Sequence, residues 1–141
     1  MDAKGRIAMP SKYREELVET CGGKMVATIH LVSQCLLIYP LPAWEAIERE
    51  LQELPTMKRD VARIQRLVLG YASDIEQDGS GRVLLPSSLR EYVGLEKKVV
   101  LVGQGKKFEL WDEALWEAET GEARAQTNEQ SMPEEVISIS F

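Results

Sequence analysis

Side chains that usually carry chemistry are scarce in this chain. Its 141 residues include one histidine, His30, and two cysteines, Cys21 and Cys35. The cysteines form no metal or redox spacing and His30 has no ligand cluster around it in sequence, so no metal, structural disulfide or histidine-based catalysis is expected. Gly105-Lys106 lacks the rest of a phosphate-loop frame and reads as a hairpin tip. Glu45 and Glu48 lie three apart on an amphipathic helix with no nucleophile nearby, which describes a solvated face better than an acid/base pair. No apolar run approaches the roughly 20 residues needed to span a bilayer, and no signal pattern opens the chain. The expectation is a cytoplasmic protein with reduced thiols that takes no cofactor, contacts no membrane and is not an enzyme.

What the chain does have is an internal repeat. Asp2-Ala3-Lys4-Gly5-Arg6 and Asp78-Gly79-Ser80-Gly81-Arg82 share the pattern Asp-x-x-Gly-Arg at an offset of 76 residues. Each is followed by three apolar residues, a proline and a serine, and the offset still holds at Arg14/Arg90 and Glu15/Glu91. A period of this kind means that one structural unit is used twice. Each motif reads as a tight turn, with a glycine that tolerates positive φ and an aspartate that bonds its own backbone.

The rest of each unit follows from periodicity. Pro10 and Pro86 open helices stopped by Gly22-Gly23 and Gly94, and Ser88 with Glu91 offers a capping box. Met25, Ala27, Ile29 and Leu31 alternate with Val26, Thr28 and His30, which predicts a strand with His30 on its surface side. Cys35 to Tyr39 and Phe108 to Trp111 read as return strands, and Ala72 to Gln77 as a strand leading into the second motif. Trp44, Ile47, Leu51 and Leu54 mark an amphipathic helix, echoed by Trp116. Between the units, Met57, Val61, Ile64 and Val68 form an apolar stripe, with Lys58, Arg59, Arg63 and Arg66 on the same segment against one acid, Asp60. Segments follow at 1–54 (first repeat and its helix), 55–70 (basic connecting helix), 71–120 (second repeat and its helix) and 121–141 (acidic tail). Two such units pairing edge to edge predict an α+β fold, a small double-hairpin β-barrel with flanking amphipathic helices.

Charge is unevenly spread. The net charge is −6, but Glu109 to Phe141 hold nine acids and one base, leaving the first 108 residues slightly basic. A basic face on the body is therefore compatible with an acidic whole.

The paired motifs, the run Cys35-Leu36-Leu37-Ile38-Tyr39-Pro40-Leu41-Pro42-Ala43-Trp44-Glu45, and the segment from Val102 through Phe108-Glu109-Leu110-Trp111-Asp112-Glu113 together resemble the MraZ family, over residues 2 to about 118. The resemblance implies two tandem AbrB-like swapped-hairpin repeats. It also implies a nucleoid-associated transcriptional repressor of the division and cell-wall gene cluster, binding direct promoter repeats in double-stranded DNA as a homo-oligomeric ring. Carried onto this chain, Lys4, Arg6 and Arg82 are the DNA-binding residues, and Asp2, Gly5, Asp78 and Gly81 support the motifs. The alternative is an assembly module of the same fold that does not bind DNA. The resemblance further implies a strand ahead of the first motif. This chain opens one residue before Asp2, so the first motif is expected to be less well anchored than the second.

Overall fold

In the computed structural model, which describes residues 1–141, the strands that follow the two motifs pair with each other. Strand β1 (Arg6–Ala8) runs antiparallel to β5 (Arg82–Leu84), with Ile7 opposite Val83. Each repeat thus lends the strand that follows its motif to a ribbon shared by both. The remaining strands are β2 (Lys24–Ile29), β3 (Leu36–Pro40), β4 (Ser73–Glu76), β6 (Val99–Gln104) and β7 (Lys107–Asp112). They form one antiparallel sheet in the order β4-β2-β3-β7-β6.

The two sheets do not close into the expected barrel. The ribbon is joined to the larger sheet by a single bridge, Gln77 to Val83, and the larger sheet keeps two edges, β4 and β6. The reason is a break in the pseudo-symmetry. Strand β2 is flanked on both sides, by β3 and β4, whereas its counterpart β6 has only β7. The Met1 amino group bonds the Lys97 carbonyl just where, in the other half, Gln77 N–H bonds the Gly23 carbonyl.

The five-stranded sheet separates two cores. Its inner face, bearing Met25, Ala27, Ile29, Leu36, Ile38, Phe108 and Leu110, packs against the ribbon and helices α1 (Ser11–Cys21) and α4 (Ser87–Val93). The outer face carries α2 (Leu41–Glu53) and α3 (Arg59–Tyr71), with Val26, Tyr39, Trp44 and Val68 as its buried centre. Helix α5 (Glu113–Gln126) lies over β6 and β7, with Trp116 against Trp111. A short α6 (Glu134–Ile137) follows. Period-two alternation in β2 feeds both cores at once, as its sequence requires.

Three local expectations change. The α3 stripe is rotated: Gln65 and Val68 are buried, while Ile64 faces solvent and Met57 lies outside the helix. Gln65 takes the inner position because its Nε2 donates to the Leu51 carbonyl at 2.6 Å, near the end of α2, where the only other donor is the Leu54 N–H at 3.4 Å. The capping box does not form, since α4 begins at Ser87 with Pro86 as its cap. Helix α5 continues through Gly121 to Gln126, into the segment read from sequence as tail. No helix is long and apolar enough to cross a membrane.

Candidate nucleic-acid interface

Both motifs fold into the same turn. In the first, Asp2 N–H donates to the Arg6 carbonyl at 3.0 Å and Gly5 N–H to the Asp2 carbonyl at 3.1 Å. In the second, Asp78 N–H donates to the Arg82 carbonyl at 2.8 Å and Gly81 N–H to the Asp78 carbonyl at 3.0 Å. The aspartate side chain closes each turn a second time. Asp2 Oδ1 accepts from Lys4 N–H and Arg6 N–H, both at 2.9 Å. Asp78 Oδ1 accepts from Ser80 N–H at 2.8 Å and Arg82 N–H at 2.9 Å. The first motif is therefore as fully bonded within its turn as the second.

Those bonds favour the carboxylate over the acid. The Arg6 backbone N–H is the largest influence holding the Asp2 carboxyl down at about 2, against an ordinary 3.8, with further help from the Arg6 side chain and the Lys4 N–H. Asp78 is lowered chiefly by the Arg82 and Ser80 N–H groups, and the Arg6 charge also reaches it across the ribbon.

Gly5 and Gly81 take φ of +86° and +75°, a region that side chains with a Cβ resist. Their N–H groups are spent inside the turns and are not free to meet a phosphate. Their missing side chains serve packing instead. A Cβ on Gly5 would lie 2.6 Å from Arg90 Cζ, and one on Gly81 would collide with Arg14 Nε. Each arginine comes from the helix of the opposite repeat. Arg14 Nε donates to the Met9 carbonyl at 2.7 Å and Arg90 Nε to the Leu85 carbonyl at 3.1 Å. Met9 N–H in turn donates to the Gly81 carbonyl, and Leu85 N–H to that of Gly5. The two turns are thus cross-braced through the pseudo-two-fold axis. Arg14 and Arg90 are positioning residues that sequence reading left without a role, although their shared offset of 76 was the signal.

The ribbon presents the arginines together. Ile7 and Val83 point into the core, so the alternate residues Arg6, Ala8, Arg82 and Leu84 point outward from one ribbon face. Leu84, opposite Arg6, is 57% exposed, and with Ala8, opposite Arg82, it adds to that face an apolar diagonal that the sequence did not announce. The arginines differ in state. Arg6 Nε donates to Asp2 Oδ2 at 2.9 Å, whereas Arg82 is exposed and forms no ion pair. Lys4, in the first turn, is also exposed and unpaired.

The structure also assembles a group that the sequence hides. His30 Nε2 lies 3.8 Å from Glu109 Oε2, and the buried Cys35 sulfur completes a set of three ligand atoms within 4.8 Å of one another. Glu109 arrives from β7 through its pairing with β3, so no spacing announced it. Two features fit this set better as a hydrogen-bonded cluster than as a cation site. His30 Nδ1 accepts from Val32 N–H and Ser33 N–H at 3.1 and 2.9 Å, which leaves the ring proton on Nε2, facing Glu109. Burial pushes the Cys35 thiol up to about 12, with the Glu109 charge adding to it, away from the thiolate that metals bind.

Comparison with known proteins agrees with the two-unit architecture. The family model described as "MraZ protein, putative antitoxin-like" matches twice, at residues 1–67 and 68–135. A protein of Thioalkalivibrio sulfidiphilus named transcriptional regulator MraZ is 53% identical over 97% of this chain and 91% of its own length. Proteins of the same name from Alkalilimnicola ehrlichii and Pseudomonas aeruginosa are 49% and 55% identical. They cover 100% and 84% of this chain, and 94% and 78% of their own lengths. With both halves matched by one family model and relatives at this level, the chain belongs to the MraZ family.

Proposed function

We propose that this protein is a transcriptional regulator that binds double-stranded DNA through the β1–β5 ribbon, with Arg6 and Arg82 reading base edges and Lys4 contacting phosphate. The observation that carries the reading is the ribbon's outer face: two arginines, from two motifs, on one exposed two-stranded element. A two-stranded ribbon fits the major groove, and arginine is the side chain suited to bidentate contact with guanine. Asp2, Gly5, Asp78 and Gly81 hold the turns that set the arginines, and Arg14 and Arg90 brace them. The curated relatives carry the name of a transcriptional regulator, not of an enzyme.

On this reading one chain supplies three phosphate- or base-facing cations, so log affinity falls with log salt at a slope near −3. Such binding is modest by itself. A ring of copies engaging successive direct promoter repeats raises avidity by about 10²–10⁴. The division and cell-wall gene cluster is the proposed target, and a nucleoid-associated cytoplasmic repressor the proposed role. The test is a mobility shift with the promoter region upstream of the protein's own gene cluster. Wild type should shift it, and an Arg6→Ala, Arg82→Ala double variant with unchanged circular dichroism should not. Equal affinity for the two proteins would overturn the assignment.

A further inference from the structure

Helix α3 does not belong to the ribbon face. It lies on the outer side of the five-stranded sheet, while the ribbon lies on the inner side. Its solvent face joins Ile64 and Leu67, each 40% exposed, to Arg63 and Arg66. Leu54, 44% exposed, and Met57, 98% exposed, lie just before the helix. None of the α3 arginines forms an ion pair within the chain, because the only pairs are Asp2–Arg6 and the His30–Glu109 approach. An apolar pair flanked by unneutralised cations is a surface suited to an acidic helix.

The chain carries such a helix at the other end of the same sheet face. Helix α5 covers β6 and β7, whereas α3 covers β2. Glu117 and Glu122 are exposed on α5 and have no cationic partner. Between them Ala118 and Gly121 are exposed, and nothing packs within 4 Å of where a Gly121 side chain would be. Small residues let a second helix approach closely, and the larger Ile64 and Leu67 supply the knobs. The two surfaces lie at opposite ends of one sheet face, with α2 between them, so they meet only between copies.

We infer that the α3 face of one copy docks on the α5 face of the next, with Arg63 and Arg66 opposite Glu117 and Glu122, and that this is the repeating contact of the assembly. The inference rests on the oligomer of the proposed function and names its interface. The contact is heterologous, so it propagates around a closed ring or along a filament. It leaves every ribbon free on the other side of the sheet.

The test is a mixing experiment on the full chain. An Arg63→Glu, Arg66→Glu variant and a Glu117→Arg, Glu122→Arg variant are each weighed in solution by light scattering, alone and mixed one to one. Each alone should fall toward the 15.9 kDa of a single chain, with its assembly midpoint raised at least 100-fold. Mixed, they should regain the wild-type mass, because each reversed surface meets its reversed complement. A milder Arg63→Gln, Arg66→Gln variant should raise the midpoint at least tenfold, and it serves if reversal harms folding. A monomeric wild type, variants that keep the wild-type mass, or a mixture that stays dissociated would each overturn the interface. Binding of one short duplex site, with a salt slope near −3, should survive in the dissociated variants. Its absence in wild type as well would count against the DNA reading alone.

Discussion

The two motif turns share their main-chain bonds almost atom for atom, yet their arginines stand in different electrostatic states. In the first turn Asp2 holds both the backbone and the Arg6 side chain. In the second, Asp78 holds the backbone alone and Arg82 projects unpaired. The first turn adds Lys4 where the second has Ser80. Backbone geometry follows from the Asp-x-x-Gly-Arg pattern and is duplicated with it. Side-chain charge is set by residues within and around the pattern, and there the duplicates diverge. A pseudo-symmetric protein can thus offer a symmetric scaffold with an asymmetric reading face.

The largest expected effect tests that asymmetry. Losing both ribbon arginines should weaken operator binding by at least about 30-fold, at about 1–3 kcal/mol for each bidentate contact. Of the single variants, Arg82→Ala should lose more than Arg6→Ala, because Asp2 competes with DNA for Arg6. Equal losses in titrated mobility shifts would mean that Asp2 only orients its arginine.

Next come the glycines, where the halves should agree. Gly5→Ala and Gly81→Ala should each cost about 1–2 kcal/mol from the positive φ, read as a lower denaturant midpoint at unchanged slope. The displaced Arg90 or Arg14 adds to that cost in each case. A large difference between the two would show that the cross-brace is not equivalent across the axis.

Smaller still is an exchange of the third motif positions. Lys4→Ser should make the salt slope shallower by about 0.9, and Ser80→Lys should steepen it by about the same amount. An unchanged slope in both would remove the turns from the phosphate contact.

The smallest effect is in acid. The Asp2 carboxyl is lowered in the folded protein, so its contribution to stability is fully present above its unfolded value near 3.8 and is lost as pH falls through about 2. The stability gap between wild type and Asp2→Asn should therefore be constant above pH 5 and close between pH 4 and 2. Asp78→Asn should show the same sign. A gap that widens in acid would contradict the hydrogen-bonding described for the turns.

Much of this was legible in the chain. The repeat fixed the two motifs, and alternation in Met25–Ile29 separated residues that do enter two different cores. Signals failed where a partner far along the chain decided the outcome. Gln65 reads as a solvent residue until the packing of α3 on α2 brings its amide to the Leu51 carbonyl. Glu109 reads as one acid among many until β7 pairs with β3 and sets it beside His30. Gly5 and Gly81 read only as turn residues until the opposite repeat's arginines occupy the space beside them.

By itself the sequence determined the turns, because their bonds run between residues at most four apart and need only an aspartate, a glycine and the right spacing. The pairing of β1 with β5 was the decision of tertiary structure. Three-residue strands have too few bonds to choose a partner alone, and only burial of Ile7 and Val83 in one common core sets Arg6 and Arg82 on the same face.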